Sequence, residues 1–167
     1  MPEYMIRHAR KADCPALAQI LIAATQDAFR GHVPDHCLNW ITPEKSAANW
    51  AKNFASDQRL KVGNYCYAAE TNAGKLIGFA LLIDGSKIDD QDPPQAKQFN
   101  HELRVIQVDL AWQRRGVGRS LIARVAEQIK CEGSSRCLVR VLVENPNLPF
   151  YEHLGAVQLG KRPYDWA

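Results

Sequence analysis

The feature that most constrains this chain is a strand–turn–helix–strand pattern in its second half. Apolar residues predict a strand over Glu102–Val108, and apolar residues at helical spacing follow from Val117 to Ile129. Cys137–Val143 is apolar apart from Arg140 and predicts a second strand. A helix that joins two strands in this way is the crossover between parallel neighbours. We therefore predict that the two strands are parallel and buried.

The turn Gln113–Gly118 precedes the helix of this unit. The first N–H groups of a helix lack intrahelical acceptors and lie at the positive end of the helix dipole, so they bind phosphate. Gly116 and Gly118 allow a pyrophosphate to approach the backbone closely. Three arginines add positive charge beside the turn: Arg114, Arg115 and Arg119. We interpret this segment as a pyrophosphate-binding turn.

Two common nucleotide-binding motifs do not fit the turn. A phosphate-binding loop of the Walker type ends in Gly-Lys-Ser/Thr, which is absent here. The dinucleotide fingerprint requires three glycines and an acidic residue on the next strand. The turn has two glycines and is followed by an apolar strand that contains a basic residue, Arg140.

The remaining segments predict two N-terminal helices and a hairpin, in one mixed α/β domain over residues 1–167. In chain order, we expect a strand at Tyr4–His8, a helix after the N-cap Asp13, a helix after Thr42-Pro43, hairpin strands at Tyr65–Glu70 and Leu76–Ile83, a polar loop at Asp84–Asn100, a short helix at Phe150–Leu154 and a last strand at Ala156–Leu159. The acidic run Asp89, Asp90 and Asp92 is predicted to be solvated.

Composition excludes several classes of protein. The formal net charge of +3 is too small to indicate nucleic-acid binding, and no apolar run reaches the length of a membrane span. The five cysteines are scattered, and neither they nor the histidines have metal-ligand spacing. We therefore expect a cytoplasmic protein with reduced thiols and no metal, bound to neither nucleic acid nor membrane.

Two segments of the sequence resemble the GNAT superfamily of acetyl-CoA-dependent N-acetyltransferases. The first is the approach Val108–Gln113 followed by the Gln-x-x-Gly-x-Gly turn. The second runs from Asn145 through Phe150-Tyr151-Glu152-His153-Leu154-Gly155 and is similar to the family's Asn…Phe-Tyr-Glu-x-Leu-Gly segment. The resemblance implies a three-layer fold with a mixed central sheet and helices on both faces. It also implies that acetyl-CoA is the co-substrate.

The resemblance further implies which residues hold acetyl-CoA. The pantetheine arm would lie where the two parallel strands separate and would pair with the backbone of Ile106, Gln107 and Val108. Asn145 would contact the same arm. The spacing of Asn145 to Tyr151 is one residue shorter than in the common family pattern, so Asn147 is an alternative. The backbone of the turn would hold the pyrophosphate: Arg114, Arg115, Gly116, Val117, Gly118 and Arg119.

The implied reaction is direct attack of an amine on the thioester. A lysine-like amine has a pKa of about 10.4, so a base must remove a proton near neutral pH. Glu102 is the first candidate, acting through water, followed by Glu70 and then His101. A backbone N–H near Val108 would stabilise the oxyanion. Tyr151 occupies the position of the family's tyrosine that protonates the departing thiolate.

Several alternatives stay open at the level of sequence. Tyr151 is also compatible with a packed core tyrosine, and Glu102 with a salt-bridged strand residue. The acceptor is expected to be a primary amine of a small molecule or peptide, with Phe29 and Trp40 as candidate walls of its pocket. A non-catalytic acyl-CoA-binding regulatory domain is the alternative function, and a homodimer is a possible assembly.

Overall fold

The computed structural model describes residues 3–39, 42–57, 59–85 and 92–162. The helices are α1 (Cys14–Phe29), α2 (Asp35–Leu38), α3 (Pro43–Ala51), α4 (Val117–Cys131) and α5 (Leu148–His153). The strands are β1 (Tyr4–His8), β2 (Phe54–Ser56), β3 (Arg59–Leu60), β4 (Tyr65–Thr71), β5 (Leu76–Asp84), β6 (His101–Val108) and β7 (Leu138–Val139). Most of the predicted strands and helices of the first 131 residues are confirmed within about two residues at each boundary. The helical spacing that follows Thr42-Pro43 extends to Phe54, but the helix ends at Ala51 and Phe54 begins β2.

Five strands form the central sheet, in the order β1-β4-β5-β6-β7, and a separate pair joins β2 to β3. All neighbours in the central sheet are antiparallel except β6 and β7, which are parallel as the crossover pattern predicts. The mixed sheet follows directly from connectivity, because a hairpin links β4 to β5 whereas α4 links β6 to β7.

Two apolar layers cover the sheet, one on each face. Alternating residues of β4 divide between them: Cys66 and Ala68 pack with α1 and α3, whereas Tyr67 and Ala69 pack with α4. The faces can be called the α1 face and the α4 face of the sheet. Helices on both faces confirm the three-layer architecture expected from the sequence.

Helix α4 approaches the sheet closely because β5 has a glycine beneath it. A Cβ on Gly78 would lie 3.0 Å from the carbonyl oxygen of Gln107, 3.2 Å from Val117 Cγ1 and 3.4 Å from Leu121 Cδ1. Any side chain there would push the first turn of α4 away from the end of β6. Gly78 therefore fixes the N-terminus of α4 against the strand that precedes it.

Three predictions about the second half of the chain are wrong. The strand predicted over Cys137–Val143 is hydrogen-bonded only at Leu138–Val139, and no strand is present at Ala156–Leu159. Asp92, predicted to be solvated, is buried with 6% of its surface exposed. Trp40, Asp89 and Asp90 lie outside the described residues. No helix in the described ranges combines the length and the apolar character that crossing a membrane requires.

Candidate functional site

The parallel strands β6 and β7 separate after two residue pairs, Glu102↔Leu138 and Leu103↔Val139. On its other side, β6 remains paired with β5 as far as Gly78↔Val108. The edge of β6 that faces β7 is therefore uncovered by any strand from Arg104 onward. We call this opening the gap and its closed end, beside Leu103 and Val139, the vertex.

Two residues of β6 turn their backbone groups toward the gap. Asp109 N donates to Ile77 O at 2.9 Å, which makes Val108 and Gly78 a pair that is not itself hydrogen-bonded. The N–H and C=O groups of Val108 therefore point away from β5 and toward the gap. By alternation, Ile106 does the same, whereas the backbone of Gln107 faces β5. Of the three residues expected to pair with pantetheine, Ile106 and Val108 thus have the appropriate backbone direction. Val108 O accepts from Gln113 Nε2 at 3.4 Å.

The predicted pyrophosphate-binding turn lies at the open end of this edge. Arg114 and Gly116 have positive φ angles of 61° and 85°, which turn the chain sharply into α4. Ser120 N makes the first helical bond of this turn, to Gly116 O at 3.0 Å. Within the described ranges, the N–H groups of residues 114–119 have no hydrogen-bond acceptor, and no side chain caps the helix. The turn therefore presents the unsatisfied donors that a phosphate requires.

The three arginines of the turn differ in what they contact. Arg115 lies over the ring of Trp112, 4.1 Å from its centroid, and pairs with Glu3 at 2.7 Å. Arg114 and Arg119 are exposed and make no ion pair with the described residues. Two of the three predicted cationic side chains are thus available to an anion at the helix terminus.

Tyr151 lies on α5 and packs against the core on the α4 face. Its hydroxyl makes no hydrogen bond with any part of the chain that the structure describes. Burial raises the pKa of Tyr151 above its usual value of 10. The phenol therefore keeps its proton near neutral pH and has that proton available to donate.

The connection into α5 distinguishes the two asparagine candidates. Asn145 Oδ1 accepts from Asn147 N at 2.8 Å, and Leu148 N donates to Asn145 O at 3.1 Å. These bonds fix the half-buried side chain of Asn145, whose Nδ2 remains a donor, whereas Asn147 is exposed. Asn145 is therefore the more buried and more firmly held of the two candidates.

Glu102 lies at the vertex, on the α1 face, because its neighbour Leu103 packs into the α4-face core. It is 2% exposed and forms ion pairs with Arg140, in close contact, and with Arg104 at 3.2 Å. Arg140 also binds buried Asp92 through Nη2 at 2.6 Å and Nε at 3.1 Å. The candidate base is therefore part of a buried ionic network.

This network was not predicted, although one signal for it is present in the sequence. Arg140 interrupts an otherwise apolar strand, and a buried arginine requires carboxylate partners. Which carboxylates those are depends on the loop that carries Asp92, more than 40 residues earlier along the chain. The spacing of these residues along the chain does not indicate that they are in contact.

The structure does not bring the other two base candidates to the gap. Glu70 lies on β4, two strands from β6, and pairs with Arg7. His101 is buried, and its Nε2 contacts Glu132 Oε2 at 2.5 Å near the end of α4. Among the three candidates, Glu102 is the one that lies where β6 and β7 separate.

The segment that follows β7 packs against a buried apolar group. Leu142, two residues beyond Arg140, packs against a buried group at the end of α1 and in α2. The members of that group are Phe29, Val33 and Leu38. Phe29 was expected to wall the acceptor pocket, and it lies in this group.

Comparison with known proteins assigns the chain to a family. The model of the acetyltransferase (GNAT) family matches residues 26–156, and the chain belongs to that family. An uncharacterised N-acetyltransferase of Bacillus subtilis (strain 168) is 25% identical over 149 residues, which cover 88% of this chain and 76% of that protein. Membership in the family supports acyltransferase activity.

Solved structures share the fold at lower sequence identity. The PaiA N-acetyltransferase from Thermoplasma acidophilum, in complex with coenzyme A, superposes with a TM-score of 0.66 at 18% identity, over 92% of this chain and 89% of that one. The aminoglycoside N-acetyltransferase AAC(6')-Iy in complex with CoA gives 0.66 at 17% identity, over 97% and 93%. These likenesses establish the mixed-sheet GNAT fold.

Proposed function

We propose that this protein transfers an acetyl group from acetyl-CoA to a primary amine by direct attack of the amine on the thioester. The observation that carries the proposal is the gap between β6 and β7, whose uncovered edge leads to the free N–H groups of the α4 N-terminus. One continuous strip of backbone donors and acceptors can thus hold both the pantetheine and the pyrophosphate of CoA.

The gap fits an extended ligand in length and in chemistry. From Val108 back to Arg104 the edge is about 13 Å long, at about 3.3 Å per residue of strand. Ile106 and Val108 offer backbone groups like those of a neighbouring strand. A Cβ at Gly118 would lie 3.4 Å from the Phe150 ring, so this glycine keeps the first turn of α4 close to α5.

The two proposed catalytic residues lie on opposite faces of the sheet. Tyr151 packs on the α4 face, whereas Glu102 faces α1. In the proposed reaction Glu102 accepts the proton of the amine through water, while the nitrogen forms its bond to the acetyl carbon. The carbon–sulfur bond breaks, its electron pair stays on sulfur, and Tyr151 donates a proton to that sulfur.

The test measures CoA binding by calorimetry and thiol release from acetyl-CoA with a panel of primary amines. Gly116→Trp places a large side chain at the helix terminus, and we expect it to abolish CoA binding. Gly133→Trp is the matched control, since Gly133 follows the other end of the same helix, has a φ of 75° and has open space around a Cβ. The control should retain CoA binding.

Two results would contradict the proposal. Full CoA binding by Gly116→Trp would remove the pyrophosphate assignment. CoA binding by the unmodified protein, with no thiol release for any amine, would instead indicate a non-catalytic acyl-CoA-binding regulatory domain.

A further inference from the structure

The vertex of the gap is lined by an arginine from each strand. Leu103↔Val139 is the last pair of β6 and β7, and the next residue on each strand is Arg104 and Arg140. Both guanidinium groups contact Glu102. Any acceptor that reaches a thioester near the vertex from the α1 face therefore meets these two cations.

The two arginines are held very differently. Arg140 is fixed by two bonds to Asp92 and by close contact with Glu102. Arg104 is half exposed, and only its Nη1 reaches an acceptor, at 3.2 and 3.5 Å from the two oxygens of Glu102. Charge-assisted bonds are normally about 2.7–2.9 Å long, so this contact is weak. Its Nε and Nη2 groups have no acceptor among the described residues.

Arg104 also lies at an irregularity in β6. The register with β5 shifts between Leu81↔Val105 and Leu82↔Leu103, which leaves Arg104 as an extra residue without a partner on β5. Such a bulge turns a side chain out of the regular alternation of the strand. Here it directs an accessible guanidinium toward the same carboxylate that is proposed to act as the base.

We propose that the acceptor carries a carboxylate close to its amine, and that Arg104 binds this carboxylate; the inference rests on the proposed acetyl transfer. Nε and Nη2 of a guanidinium form the fork that matches a carboxylate. Binding draws Arg104 away from Glu102 and frees Oε1 of Glu102 to accept the amine proton. Arg140 keeps Oε2 in place throughout.

Leu142, two residues beyond Arg140, is partly exposed and packs on the buried group formed by Phe29, Val33 and Leu38. In the proposed complex an apolar group beside the amine packs against Leu142, so the acceptor class is an apolar amino acid or a close analogue. A polycationic acceptor would place further positive charge beside Arg104 and Arg140, at an unfavourable Coulomb energy.

The experiment uses pairs of acceptors that differ only in the carboxylate: phenylalanine with phenethylamine, and leucine with isopentylamine. For the unmodified protein, we expect a KM about tenfold or more lower for each amino acid than for its decarboxylated partner. In Arg104→Gln the two members of a pair should have equal KM values, because the amino acids lose their advantage.

The matched control is Arg124→Gln, which removes an arginine of α4 that stacks on Tyr67 and pairs with Glu127, away from the gap. It should retain the preference for carboxylates. A second measurement does not depend on turnover: calorimetry of N-acetylphenylalanine and N-acetylphenethylamine with the CoA-bound protein. The carboxylate product should bind about tenfold more tightly, and only in the presence of Arg104.

The results distinguish failure of the carboxylate inference from failure of the proposed acetyl transfer. Thiol release that is equal or faster with the decarboxylated amines would overturn the carboxylate inference and leave acetyl transfer standing. So would equal binding of the two products. Retention of the carboxylate preference in Arg104→Gln would remove Arg104 as the residue responsible. Absence of thiol release with every amine, together with intact CoA binding, would overturn the proposed function.

Discussion

Two regions of this protein use the same chemistry for different ends: in each, one arginine binds two carboxylates. Arg7 binds Asp13 at 2.7 Å and Glu70 at 2.5 Å, beside the paired strands β1 and β4. Arg140 binds Asp92 at 2.6 Å and contacts Glu102, where β6 and β7 separate. The first cluster lies in a closed part of the sheet, and the second lies at an opening.

The difference shows that strand pairing, rather than residue type, decides what a cluster can do. Around Arg7 every residue of β1 has a partner on β4, so the ion pairs join the start of α1 to two strands that are paired along the whole length of β1. At Arg140 the pairing ends, and the loosely held Arg104 adds a second cation at the opening. Of the charges at this opening, the half-exposed guanidinium of Arg104 is the one that a ligand can reach.

The largest expected effect is on the free energy of unfolding, and it follows from the different burial of the two clusters. Arg140→Met leaves Asp92 and Glu102, 3% and 2% exposed, without their main cation. We expect a loss of about 3–5 kcal/mol in the free energy of unfolding. Arg7→Met should cost about 2 kcal/mol, because Asp13 and Glu70 are nearer to solvent. Urea unfolding at pH 7 measures both, and a larger loss for Arg7→Met would reverse the comparison.

A second prediction compares two tyrosines on the α4 face. Tyr151→Phe should lower kcat by about 10²-fold while CoA affinity is retained, because the donor to the leaving thiolate is lost. Tyr67→Phe is the control, since its hydroxyl already donates to Gln128 Oε1 at 2.9 Å in a closed network. The control should keep its kcat and lose about 1 kcal/mol of stability. Unchanged kcat in Tyr151→Phe would remove this residue from the mechanism.

A third prediction compares the glutamates of the two clusters. Glu102→Gln should lower kcat/KM about tenfold near pH 7, and the deficit should shrink toward pH 10. At high pH a lysine-like amine, of pKa about 10.4, loses its proton without help. Glu70→Gln should show no such pH-dependent deficit, because Glu70 lies two strands from β6. A deficit for Glu102→Gln that is constant with pH would argue for a positioning role instead.

The smallest expected effect concerns the pH dependence of the stability that the Arg7 cluster contributes. Burial raises the pKa of Asp13, but the guanidinium of Arg7 and the N–H of Arg10 outweigh it, so this pKa lies below its usual value of 3.8. A carboxyl with a lowered folded pKa stabilises the fold above its unfolded pKa and loses that contribution as pH falls through the folded value. Asp13→Asn should therefore cost about 1 kcal/mol at pH 7 and less at pH 3.

Unfolding by urea at the two pH values measures this difference. An equal cost at pH 7 and pH 3 would mean that Asp13 acts through packing or hydrogen bonding alone, without a contribution from its charge.

The elements that the sequence predicts well are those that depend on near neighbours. The helix of α4 and the hairpin of β4 and β5 follow from periodicity and turn residues, and the parallel pairing of β6 with β7 follows from the crossover. The length of β7 does not follow from the sequence. Cys137–Val143 has the composition of a strand, but only Leu138–Val139 finds a hydrogen-bonded neighbour, because β6 diverges beyond Leu103.

By itself, the sequence determined the family, the three-layer fold and the turn at Gln113–Gly118, because glycine spacing and the start of a helix are local properties. Tertiary structure alone decided that Asp92 is buried, that Arg140 joins it to Glu102, and that Arg104 stands beside them at an opening. Those contacts bring together a loop and two strands that are distant in sequence. Charged groups become partners only when folding removes them from water together, and no spacing along the chain records which ones will meet.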